Sequence, residues 1–189
     1  MATRTQSTGR GRARTAPARR QARPERVPLD RLDWQILGHL QDDARVSTAE
    51  LARQFKLSPP GVQKRMRRLE DRGVIEGYTT RVRRQAVGLD LMCFVLVMLA
   101  HHRPDSVQRF RAGIAAMPEV LECHYLTGEF DCLVKLVVRN HESLQAFMER
   151  LMKVGGVDRL RTSIVLEEIK GERGLPLAGP TAEGDDGGR

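Results

Sequence analysis

The chain has 189 residues, a formal charge of +8, 40% hydrophobic residues and only 4% aromatics. That length admits one large or two small domains. The longest apolar run, residues 89–100, is broken by Asp90 and too short to cross a bilayer, and the basic N-terminus lacks the apolar core of a secretory signal.

Residues 1–28 hold eight arginines against one glutamate and show no apolar period, so they read as a disordered tail. The tail either adds non-specific attraction to phosphates or acts as a solubilising extension. Residues 29–85 carry twelve basic and eight acidic groups, residues 86–170 ten and eleven, and residues 171–189 two and four. Positive charge is confined to the tail and the first ordered block. This suggests a nucleic-acid-binding half joined to a nearly neutral half with another task.

The first block opens at Asp30, an N-cap candidate, followed by Leu32, Ile36, Leu37 and Leu40 at helical spacing with Trp34 nearby. Ser47 and Glu50 have the spacing of a capping box, starting a helix with Leu51, Ala52 and Phe55 inward. Lys56 and Leu57 make a turn. Ser58 caps a third helix with Pro59 at its first position, where a missing N–H costs nothing. Val62, Met66 and Leu69 form its buried stripe, and Gly73 is the expected C′ residue. This is a helix-turn-helix pattern, over about residues 48–67, whose second helix suits the DNA major groove. Residues 74–84 read as an extended β segment, a small wing.

The third helix carries the chemistry. Its outward face holds Pro60, Gly61, Gln63, Lys64, Arg67 and Arg68. Small residues at its start let backbone approach DNA. Gln63 suits adenine, and Lys64 or Arg67 suits guanine. Ser58 stands at the same end. Arg65, Arg68 and Arg72 are expected at phosphates, together with Arg81, Arg83 and Arg84 of the wing.

The second block reads as strand 91–100, buried on both faces; a helix marked by Val107, Phe110, Ile114 and Met117; strand 120–127; a turn; strand 131–138; a helix marked by Leu144, Phe147, Met148 and Leu151; and strand 161–169. The order β-α-β-β-α-β is the ferredoxin-like plan, so the whole chain is α+β. Four strands with helices on one face leave the other face open, and an apolar open face calls for a second subunit. The turn around Gly128 places Glu129 and Asp131 at a hairpin tip. Its backbone N–H groups and Asp131 would suit the carboxylate and ammonium of an amino acid; an ordinary hairpin turn explains the same residues.

Cys93, Cys123 and Cys132 form no CxxC pair and read as buried thiols of a reducing cytosol. The five histidines pair with no nucleophile or ligand in spacing. No catalytic or metal constellation is present in the sequence, and no cofactor is expected.

The stretches LDRLDWQILGHLQDDARVSTAELA, LSPPGVQKRMRRLEDRGVIEGYT, ECHYLTGEFD and RTSIVLEEIK resemble the Lrp/AsnC (feast/famine) bacterial transcription regulators over residues 29–170. The resemblance implies a winged helix-turn-helix over residues 29–85 and a βαββαβ effector domain over 86–170. It also implies double-stranded DNA as partner, a cytoplasmic, nucleoid-associated location, and dimers assembling to tetramers or octamers. A small-molecule effector, usually an amino acid, is implied at Leu126, Thr127, Gly128, Glu129, Phe130 and Asp131, with Thr162 of the last strand. In the family turn, Glu129 here stands in place of an aspartate and Cys132 in place of an aromatic. An effector-independent architectural DNA protein and a small-molecule binding module without DNA function are the alternative readings.

Overall fold

The computed structural model describes residues 26–100, 104–171 and 174–177. Three helices come first: α1 (Arg31–Asp42), α2 (Thr48–Phe55) and α3 (Pro59–Asp71). Each begins at a side-chain cap. Asp30 accepts the Asp33 N–H and the Asp33 side chain accepts the Asp30 N–H, a complete capping box. At α2 the expected box is seen in one direction, with Ser47 Oγ accepting the Glu50 N–H at 3.1 Å. Ser58 accepts the Gly61 N–H at α3, behind Pro59. Lys56 turns the chain between α2 and α3 with φ +55, and the Leu57 N–H closes on the Ala52 carbonyl at 2.9 Å. Leu57, Val46, Phe55 and Met66 pack around buried Leu51, Ala52 and Val62. These contacts fix the angle at which α3 is presented.

Gly73 ends α3 as expected, and the Val74 N–H returns to the Leu69 carbonyl. The β segment expected over 74–84 is not a strand. Residues 76–83 join no β-ladder among the described residues, and Arg84–Val87 form a 3-10 turn. An extended segment becomes a strand only beside a partner strand, and none of the described strands pairs with it.

The second half contains β1 (Leu91–Leu99), α4 (Pro104–Ala115), β2 (Val120–Tyr125), β3 (Cys132–Val138), α5 (His141–Lys153) and β4 (Val157–Ile164). The antiparallel sheet runs β2-β3-β1-β4, the ferredoxin-like order. Cys93, Val95, Val97, Leu99, Cys132, Val134, Leu136 and Val138 point to the helices, against Phe110, Ile114, Phe147 and Leu151. Alternate residues Phe94, Leu96, Met98 and Leu133 are half-buried on the other face, so β1 is fully covered on one side only. β4 starts four residues earlier than the sequence pattern suggested. Asp158, Arg159 and Arg161 belong to it, whereas Leu166 and Ile169 lie beyond it, exposed. Gly113 of α4 lies so close to Val154 that a Cβ there would stand 2.7 Å from a valine methyl.

Beyond β4, residues 174–177 reach back to α1. The Gln41 side chain donates to the Leu175 carbonyl (3.1 Å) and accepts its N–H (2.5 Å).

Candidate nucleic-acid interface and effector turn

Val62 and Leu69 bury one side of α3. On the opposite side Pro60, Gln63, Lys64 and Arg67 recur at three- and four-residue spacing, all exposed. Together with Gly61, Arg65, Arg68, Asp71 and Arg72 they line a concave, mainly basic surface along the helix. Ser58 is spent on capping. Arg72 closes the helix C-terminus and is exposed, as are Arg81 and Arg83.

Arg65 and Arg68 line the same surface, but their guanidiniums are engaged. Arg65 pairs with Asp30 (2.5 Å) and Asp33 (2.9 Å), and Arg68 pairs with Asp33. Asp33 is fully buried, yet its carboxylate is satisfied by these two guanidiniums and the Asp30 N–H. The hydrogen bond to Asp30 holds the Arg65 guanidinium above its ordinary range. Burial would raise the Asp30 carboxyl, but the Arg65 bond outweighs it with the help of the Asp33 N–H, and the group lies below the usual carboxylate range. These arginines brace α3 against α1, a different task from the phosphate contact expected of them. Arg84 of the wing cluster is likewise engaged with the Leu89 and Asp90 carbonyls. Asp33 is the functional residue that sequence reasoning missed. Its signal was the D-x-x-D spacing of residues 30–33, readable as a capping box.

The turn between β2 and β3 is pinned at its base. Leu126 N–H donates to the Asp131 carbonyl (2.7 Å), and Asp131 N–H donates to the Val97 carbonyl (2.9 Å). The Asp131 carboxylate accepts the Leu99 N–H at 2.8 Å. It thus secures the end of β1. Gly128 takes φ +122, a conformation that side chains resist. Thr127, Gly128 and Glu129 are exposed, and Leu126, Phe130 and Asp131 half-buried. Thr162 does not join them within one chain. It pairs with Val95 on edge strand β4 and its hydroxyl meets Met148 Sδ of α5, two strands from the turn's own hairpin. A site using both would have to be completed by another copy.

Among the described residues no cluster of His, Cys, Asp and Glu is arranged to hold a metal, and no helix is long and apolar enough to cross a membrane. Of the three cysteines, Cys93 and Cys132 are buried as expected, but Cys123 is exposed because β2 is an edge strand.

Residues 92–175 match the family described as Lrp/AsnC ligand binding domain, and residues 29–76 that described as Winged helix-turn-helix DNA-binding. The chain is 38% identical over 143 residues to the leucine-responsive regulatory protein of Salmonella typhimurium, covering 75% of this chain and 87% of that one. The Escherichia coli K12 counterpart is 37% identical over the same length. Among solved structures, a transcriptional regulator of Neisseria meningitidis in complex with L-Met superimposes with a TM-score of 0.75 at 34% identity, over 79% of this chain and 97% of that one. An AsnC family transcriptional regulator from Agrobacterium tumefaciens gives a TM-score of 0.75 at 30% identity with the same coverage.

Proposed function

Because the chain belongs to the Lrp/AsnC family of transcription regulators and is no enzyme, we propose that it reads specific DNA with the exposed stripe of α3 and answers to an amino acid or related metabolite at the turn of residues 126–131. Residues 29–85 form the DNA-binding half and residues 86–170 the effector and assembly half, with tails on either side. Gln63, Lys64 and Arg67 face base edges in the major groove. Arg72, Arg81 and Arg83 face phosphates, and Pro60 and Gly61 keep the helix start slim. The observation that carries this reading is the opposition on one helix of buried Val62 and Leu69 to exposed Gln63, Lys64 and Arg67.

The half-buried sheet face of Phe94, Leu96, Met98 and Leu133 supports a dimer, with further assembly to tetramers or octamers completing the effector site. The L-Met complex of the Neisseria regulator supports an amino acid as ligand. Binding there shifts the assembly and hence the spacing of recognition helices on DNA. The protein works in the cytoplasm, on the nucleoid.

Selection of bound DNA from a random pool, with and without an amino-acid panel, tests both ends. A defined motif is expected. Arg67→Ala or Lys64→Ala should weaken binding to it by about 1–3 kcal/mol with unchanged unfolding temperature. Unaltered affinity in both variants would remove this face from DNA recognition. A specific-to-nonspecific ratio near one would favour an architectural protein.

A further inference from the structure

Cys123 on β2 and Cys132 on β3 occupy one face of the sheet. The register pairs Cys123 with Val134 and Tyr125 with Cys132, so the cysteines are diagonal neighbours on the side facing the helices. Their thiols lie near enough to shift each other's acidity. The two thiols differ in setting. Cys123 is exposed on an edge strand, whereas Cys132 is buried in the core. The neighbouring Cys132 thiol, aided by the charges of His124 and Arg111 and opposed by burial, lowers the Cys123 thiol below its ordinary range. The proximity of Cys123, with burial, pushes Cys132 up. One sulfur is therefore an accessible nucleophile, and the other is a protonated neighbour in contact with it. Cys93 is not part of the pair. It is buried on β1 four residues along from Val97, the partner of Cys132, or roughly 13 Å at strand rise.

We propose that Cys123 and Cys132 are a redox pair that closes to a cross-strand disulfide on meeting a peroxide. The Cys123 thiolate attacks one peroxide oxygen and the O–O bond breaks. The departing hydroxide takes a proton and leaves as water, and Cys123 becomes a sulfenic acid. The Cys132 sulfur then attacks the Cys123 sulfur. The S–O bond breaks, the hydroxyl leaves with the Cys132 proton as a second water, and the S–S bond forms. Two thiols are oxidised and one peroxide is reduced to two waters. Diagonal Cα atoms lie about 7–8 Å apart in a flat ladder, against about 4.4–6.8 Å in a disulfide, so β2 must move roughly an ångström towards β3. An edge strand whose register already shifts between Val120 and Glu122 can make that movement. The bridge would enclose the whole turn and tether it beside Asp131.

The test is hydrogen peroxide applied to the full-length assembled protein, followed by thiol titration after denaturation and peptide mapping. Free thiols are expected to fall from three to one per chain, with Cys123 linked to Cys132 of the same chain, Cys93 still alkylatable, and a dithiol reductant restoring all three. Cys123→Ser, at an exposed position, should leave both remaining thiols unreacted at the same dose. Three persisting thiols, oxidation of Cys123 that stops short of a bridge in the wild type, or linkage only between different chains would each overturn the proposal.

Discussion

Asp33→Ala separates the two tasks available to the arginines of α3. In the folded chain the Asp33 carboxylate accepts Arg65 at 2.9 Å, Arg68 and the Asp30 N–H, with no exposure of its own. A hydrogen bond to a charged group contributes about 1.5–3 kcal/mol. Arg68, whose side chain is 44% exposed, regains water, Arg65 keeps its bond to Asp30, and the cost of keeping the Asp33 carboxylate buried disappears. The net loss should be about 2 kcal/mol. Trp34, the chain's single tryptophan, lies next to the substituted position on α1, so urea unfolding followed by its fluorescence reads this half directly. The midpoint should fall by about 1 M. DNA binding should move the other way. One cation, Arg68, is freed on α3 while Arg65 keeps its bond to Asp30, and the logarithmic salt dependence of non-specific binding should steepen by about 0.9, the value for one phosphate newly contacted. A variant that unfolds like the wild type, or Arg65→Ala and Arg68→Ala changes that each flatten the wild-type salt slope by about 0.9 without loss of stability, would refute the bracing role.

Two more expectations concern the effector half and its response to acid. Gly113→Ala should destabilise by about 1–3 kcal/mol, because its methyl meets Val154 at 2.7 Å, and Val154→Ala in the same chain should recover most of the loss in thermal unfolding. Glu122 lies below the usual carboxylate range through its bonds from Lys135 and His124, and Asp30 is lowered as described above. Their folded-state values are below their unfolded ones, so they stabilise the fold above the ordinary carboxylate range and lose that contribution as pH falls below about 4. Urea midpoints measured from neutral pH downwards should decline there, and Glu122→Gln should flatten the decline; a midpoint that rises on acidification would contradict the assignment.

The helices of the first half were readable from the sequence because their ends are marked locally. Ser47, Ser58, Pro59 and Gly73 act within a few residues of themselves. The partners of Arg65 and Arg68 lie 32 to 35 residues away, and counting helix faces cannot find them. The limits of β4 slipped for a related reason. Apolar Leu166 and Ile169 extend the hydrophobic run, but pairing with β1 selects Val157 to Ile164 and places charged residues on the strand. An edge strand needs only one covered face, so its apolar pattern is weak. Cys123 looked like its two fellows because its exposure follows from strand order, which is not a local property. The turn around Gly128 was visible as a turn. The commitment of the Asp131 carboxylate to Leu99 was not.

The bond between Gln41 and Leu175 makes the covalent path from α1 to β4 into a closed circuit. The two halves are joined once through residues 76–83 and again where residues 174–177 return to α1. A movement of α1 away from residues 174–177 has to open the second joint. Opening it costs two hydrogen bonds at exposed groups, on the order of 1–3 kcal/mol in all. A joint of that strength is a latch rather than a weld: a ligand with a modest preference for the open geometry would be enough to release it.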